Sequence, residues 1–112
     1  MGDVIEIRRY LTESGRDVFG DWLGVLKDIR TRARVLARVD RLATGNFGDC
    51  KYLGSGLYEL RLDFGPGYRV YYALVGRTCA LLLCSGDKRT QAADIRRART
   101  YLEDYRERSD ET

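Results

Sequence analysis

Apolar positions along the chain change period several times, and each change marks an element. Over residues 4–10 (VIEIRRY), Ile5 and Ile7 alternate with Glu6, Arg8 and Tyr10, the pattern of a half-buried strand. Ser14 and Asp17 then resemble a capping box, with Asp where Glu or Gln is usual. Val18, Phe19, Trp22, Leu23 and Leu26 follow at helical spacing and predict a helix over 15–27, which Gly20 and Gly24 weaken. A second, two-faced helix is expected over 29–44. At ~100° per residue, Val35, Leu36, Val39, Leu42 and Ala43 fall on one side of it. Lys27, Arg30, Arg34, Arg38 and Arg41 gather on the opposite side as a basic ridge with few acids beside it, and Gly45 stops the helix.

Residues 46–56, with Gly48, Gly54 and Gly56, predict a loop. Period-two alternation returns over 57–63 (LYELRLD) and, after the turn Phe64-Gly65-Pro66-Gly67, over 68–75 (YRVYYALV). Gly76-Arg77 fits a hairpin turn, and the apolar run over 78–85 (TCALLLCS) fits a central strand covered on both faces. After Gly86–Arg89, Thr90 can cap a helix over 91–106 whose apolar positions, Ile95, Ala98 and Leu102, are sparse, with a frayed tail from about 108. The order strand, two helices, three strands, helix predicts an α+β fold. Its sheet would be twisted, mainly antiparallel and of about four strands, with an N-terminal helical hairpin and a C-terminal helix. One domain over 1–112 is expected from the length and the lack of any repeat or linker.

Composition narrows the chemistry. At 44% apolar and 33% charged residues the chain reads as an ordinary globular protein. No apolar run approaches the ~20 residues of a membrane helix, and the first ten carry no signal-type stretch, so no membrane partner and a cytoplasmic location are expected. Cys50, Cys79 and Cys84 are odd in number and lack CxxC spacing, which favours reduced, mostly buried thiols. The absence of histidine removes the commonest general acid–base and the commonest metal ligand. Neither a metal nor an organic cofactor is implied. Net charge is only +3, so the placement of the arginines matters more than their sum.

Parity in the consecutive strands puts Glu59, Arg61, Arg69 and Tyr71 on one face. If the apolar set packs on the helical hairpin, this set lies on an open face, with Lys88 and Arg89 at its edge. Cations and a tyrosine together suit a phosphodiester backbone and a stacked base. The competing reading is a set of cross-strand ion pairs without function. RNA supplies its own nucleophile, the 2′-hydroxyl. The arginines would stabilise charge on the phosphorane, and Lys88, Tyr71 or Glu59 would exchange protons if their pKa values were shifted.

Two stretches, GDCKYLGSGLYELRLDFGPGYRVYY and LLLCSGDKRTQAADI, stand behind WLGVLKD and an R-x-x-x-R-x-x-R-L helix. In that order and spacing the chain, over about residues 4–102, resembles the phage-derived Gp49-like, or addiction-module killer, branch of the RelE/HigB/ParE toxin superfamily. The resemblance implies a RelE-like fold and the toxin of a type II toxin–antitoxin system, neutralised by a cognate antitoxin of the helix-turn-helix kind. It further implies a metal-independent endoribonuclease that cleaves mRNA on the ribosome and stops translation. The alternative within the superfamily is a ParE-like inhibitor that binds DNA gyrase and cleaves no RNA.

By the same resemblance, Arg61 holds a basic position of RelE-type enzymes, Arg69 matches the arginine on the scissile phosphate, and Lys88 or Arg89 matches the basic residue after the last strand. The ridge of Lys27, Arg30, Arg34, Arg38 and Arg41 would grip ribosomal RNA. Glu59 departs from the pattern, standing where RelE proper has a second lysine. The C-terminal tyrosine of RelE falls near Ile95, leaving Tyr71, Tyr101 or Tyr105 as substitutes, and Ser85 replaces a common second glycine. An acidic antitoxin segment is expected to occupy the substrate position, near a final helix with a thin apolar face.

Overall fold

A computed structural model of the chain describes residues 4–110. It is an α+β structure built on one five-stranded sheet, with β1 (Glu6–Arg9), β2 (Cys50–Gly54), β3 (Leu57–Arg61), β4 (Arg69–Val75) and β5 (Cys79–Gly86). The strands lie in the order β1-β5-β4-β3-β2. Only the β1–β5 pair is parallel. The sheet is therefore mainly antiparallel, as the alternation predicts, with one strand more than expected.

The additional strand is β2, in the segment that reads as a loop. It pairs with β3 alone, at the sheet edge, and its Lys51 and Tyr52 are exposed. With exposed residues at its centre and half-buried ones at its ends, this edge strand shows no apolar alternation, so the glycines in and around it dominate the sequence signal. β5 fits its expectation: every residue of it is buried.

Helix α1 (Val18–Val25) is shorter than the apolar pattern suggests. Its cap is Asp17, whose carboxylate accepts from Gly20 N at 3.0 Å, rather than Ser14. Helix α2 (Ile29–Asp40) is capped by Asp28 and tightens into a 3-10 turn over Arg41–Thr44. Gly45 ends it with φ +79°, the left-handed stop expected there. Helix α3 (Gln91–Asp110) follows a 3-10 turn over Lys88–Thr90 that Asp87 caps. The helix continues past the point where its apolar positions end, through the region expected to fray; residues 111 and 112 lie outside the described part. Among the described residues no helix is long and apolar enough to cross a membrane.

Side chains of opposite parity feed two cores. Leu60, Leu62, Val70 and Tyr72 meet Phe19, Val35, Val39 and Leu42 of the helical hairpin. Leu57, Tyr71, Ala73 and Leu81 meet Ala98 and Leu102 of α3. A register shift between Tyr71 and Tyr72 places Leu83 and Cys84 together on the α3 side. The sheet is thus covered on both faces, and the open face expected for Glu59 and Tyr71 does not exist. Tyr10, just beyond β1, is also buried on the α3 side and donates its hydroxyl proton to Asp104. All three cysteines are free, with Cys79 and Cys84 buried and Cys50 half-buried.

A candidate nucleic-acid groove at the end of the sheet

Antiparallel register fixes what stands beside what. Glu59 lies opposite Tyr71, and Arg61 opposite Arg69, which in turn pairs with Gly86 at the end of β5. Lys88 follows two residues later. The predicted set is therefore brought to one end of three neighbouring strands, but it divides into a sealed part and an open part.

The sealed part is Glu59 and Tyr71, both 0% exposed beneath α3. Glu59 Oε1 accepts from Arg61 Nε at 3.0 Å. Its Oε2 accepts from the Tyr71 hydroxyl at 3.1 Å and from Gln91 Nε2, in the first turn of α3, at 2.7 Å. Burial opposes ionisation of this carboxyl. The bonds from Gln91, Arg61 and Tyr71 more than offset that, so its pKa falls below the ordinary carboxylate value. Burial, followed by the charge of Glu59, drives the Tyr71 pKa far up. Neither group meets solvent, so neither can exchange a proton with a strand lying outside. Glu59 orients Arg61 instead. Gln91 completes that clamp and was not singled out from the sequence, where it lies 32 positions from its partner.

The open part begins with Arg69. The residue is only 9% exposed, and its Nη1 donates to the carbonyls of Gly67 and Tyr68 at 3.0 and 3.1 Å. Among the described residues its Nε is buried without an acceptor, and no carboxylate forms an ion pair with the group. A buried guanidinium lacking a counterion is an unfavourable arrangement for a free chain and a prepared one for an anion. Arg69 and Lys88 line a cleft of about 510 Å³ whose floor is the Gly65-Pro66-Gly67 turn. Asp49, Arg61 and Asp63 also line this cleft, and the same three line a second one of about 420 Å³ beside α2. The two clefts are one groove.

The basic ridge divides as well. Arg34, Arg38 and Arg41 line the α2 end of the groove. The Arg34 guanidinium stacks over Phe64, 3.9 Å from the ring centre. Arg38 lies against Gly48, where a Cβ would stand 2.2 Å from its Nη2, and the φ of +59° there also calls for glycine. Lys27 sits in the joint between α1 and the Asp28 cap, off the helix, and both it and Arg30 lie outside the two clefts. Arg89 is also outside and pairs with Asp87 at 3.3 Å. Tyr101 stacks on Tyr10, and Tyr105 packs beside the same core. Tyr101 lies ten residues along α3 from Gln91, roughly 15 Å at helical rise. The tyrosines considered as substitutes are thus absent from the groove, where Phe64 supplies aromatic surface and Tyr68 packs edge-on against it.

Fold and groove together define an α+β protein with an arginine-lined channel at one end of its sheet. The family model described as phage derived protein Gp49-like (DUF891) matches residues 21–106. An uncharacterized protein of Haemophilus influenzae (strain ATCC 51907 / DSM 11121 / KW20 / Rd) is 45% identical over 95 residues, covering 85% of this chain and 90% of the relative. The chain belongs to the phage-derived Gp49-like family, which relates it to the toxins of toxin–antitoxin modules.

Proposed function

We propose that this protein is the toxin of a type II toxin–antitoxin pair and acts in the cytoplasm as a metal-independent endoribonuclease on ribosome-bound mRNA. The observation that carries this reading is Arg69, a nearly buried guanidinium with an unused N–H, no acidic partner among the described residues, and a cleft that it lines. A phosphodiester seated there would meet Arg69, Arg61 and Lys88 at once. The 2′-oxygen of the RNA attacks the adjacent phosphorus, and the bond from phosphorus to the 5′-oxygen breaks. The products are a 2′,3′-cyclic phosphate and a 5′-hydroxyl. Asp49 and Asp63, exposed carboxylates that line the groove, would accept the 2′-hydroxyl proton, and the Lys88 ammonium would supply one to the leaving oxygen.

Partners follow from the same charges. An acidic segment of a cognate antitoxin, itself expected to be a helix-turn-helix protein, would neutralise the arginines by filling the groove. One observation favours a second reading. With Glu59 and Tyr71 sealed under α3, the groove keeps few groups for proton transfer, as suits a ParE-like gyrase inhibitor that only binds.

Mapping of mRNA 5′ ends after brief induction separates the two, with Arg69→Ala beside the wild type. Cuts inside translated frames that vanish in the variant are expected. Loss of a donor that stabilises a transition-state oxyanion lowers a rate by about 10²–10³. Intact mRNA under continued growth arrest would overturn cleavage and leave inhibition by binding.

A further inference from the structure

The groove is longer than one phosphate requires. Among the described residues three buried side-chain polar atoms lack a partner, and two of them flank this groove, Arg69 Nε at the sheet end and Arg38 Nη1 at the α2 end. Among the described residues the Arg38 guanidinium makes one hydrogen bond, from Nη2 to the Phe47 carbonyl, stretched to 3.5 Å. Arg41 beside it is exposed and pairs with no acid among those residues. Buried donors are nearly always satisfied in a folded chain, so two unsatisfied ones on arginines that line a common channel fit a ligand with anionic oxygens at two separated points. Between those points, beside an Arg61 already paired with Glu59, stand Asp49 and Asp63. Their carboxylates repel a phosphate and accept from amino groups. The order cation, acid, cation along the channel therefore fits a strand that presents phosphates at both ends and a base edge in the middle. It does not fit an unbroken run of negative charge.

We infer that the cleft of Arg34, Arg38 and Arg41 is a second phosphate subsite for the substrate. One single strand of RNA runs from it past Arg61 to Arg69 and Lys88. The inference rests on the reading of the sheet end as the site that holds the scissile phosphate. It reassigns three ridge residues from ribosomal RNA to the substrate strand, and leaves Lys27 and Arg30 out of the site. Unpaired bases suit the channel, because the Arg34–Phe64 stack offers a flat wall that an unstacked base can extend.

Fluorescence anisotropy with the whole chain tests this, using 2′-methoxy RNA oligonucleotides that resist cleavage, a trinucleotide and an octanucleotide, across a salt series. The octanucleotide is expected to bind about 10-fold tighter, with a salt slope steeper by about 0.7 for each added phosphate contact. Arg38→Gln and Arg41→Gln each reduce that gain while leaving trinucleotide affinity unchanged. Arg69→Gln weakens both ligands, and Arg77→Gln, in the turn between β4 and β5, weakens neither. Because Arg38 is lodged against Gly48, the exposed Arg41 decides the matter if Arg38→Gln fails to fold.

An octanucleotide bound no tighter than the trinucleotide overturns the second subsite, as does equal weakening of both ligands by Arg41→Gln or no binding of either. If the trinucleotide binds and depends on Arg69 in the first two cases, the sheet-end site stands. Octanucleotide binding that depends on Arg41 but not on Arg69 supports the second subsite and sinks the sheet-end reading.

Discussion

Helix α3 and the groove both draw on arginine, and they use it in opposite ways. On α3 four guanidinium groups are occupied: Arg97 pairs with Asp94, Arg99 donates to the Leu53 and Gly54 carbonyls, Arg106 to the Ser55 carbonyl, and Arg108 to Asp104 and the Leu11 carbonyl. These bonds fasten the helix across the β2–β3 turn and the segment after β1. In the groove, Arg34, Arg38, Arg41 and Arg69 meet an aromatic ring, a few carbonyls or nothing, and pair with no carboxylate among the described residues. Charge satisfied inside the chain marks architecture. Charge left without a partner beside a cleft is the basis on which the groove is proposed as a binding site.

Arg61 joins the two regimes, since it lines the groove while Glu59 holds it from beneath. Replacing Glu59 should have the largest effect on stability. Glu59→Leu leaves the Tyr71 hydroxyl and Gln91 amide without their acceptor and frees Arg61 opposite Arg69, two like charges in register. A loss of about 2–4 kcal/mol in urea unfolding is expected. An unchanged midpoint would mean that the clamp contributes nothing to the fold.

The same carboxylate sets an acid limb. Burial works against its charge, and the bonds from Gln91, Arg61 and Tyr71 outweigh burial, so the folded pKa lies below the unfolded value of 4.5. Its contribution is then present in full above pH 4.5 and fades as pH falls through the lower folded value. Asp87 and Asp104 are also lowered, each chiefly by a hydrogen bond, from Arg89 and Tyr10 respectively, and they titrate in wild type and variant alike. Subtracting the stability profile of Glu59→Gln from that of wild type between pH 3 and pH 6 should therefore isolate Glu59, with wild type losing more on acidification. Parallel profiles would show that the carboxylate is not held ionised by its partners.

Much of this arrangement was legible beforehand, because parity along a strand is a geometric certainty once the strand exists. Glu59, Arg61, Arg69 and Tyr71 do share a face, and the helical hairpin does cover the other one. The cover on the first face was not legible from α3, whose few apolar residues give a weak period. A signal stood in the strands themselves: Leu57, Tyr71 and Ala73 have the parity of Glu59, and such a side is seldom left in water. Asp49 came to the groove unannounced, since the segment before β2 has no periodicity to place it, whereas Asp63 continues the parity of Glu59 and Arg61 and was passed over. The union of the ridge with the sheet end depends on α2 lying beside the β3–β4 turn, a tertiary fact beyond any local pattern.

The smallest effects make the sharpest contrast between the two sets of arginines. Arg99 Nη2 and Nη1 bond the Leu53 and Gly54 carbonyls at 2.7 and 3.3 Å, on the surface, so Arg99→Ala should lower stability by about 1 kcal/mol or less. It should leave RNA affinity alone. Arg41→Gln removes a charge that no side chain answers, near a helix end whose dipole favours it only slightly. Its effect on unfolding should stay within about 0.5 kcal/mol, while RNA binding weakens. Urea titration and anisotropy on both variants give a two-by-two outcome in which each substitution moves one observable. A loss of stability in Arg41→Gln as large as that in Arg99→Ala would mean that the groove arginines also brace the fold, and that an unpaired charge is no guide to the binding surface of this protein.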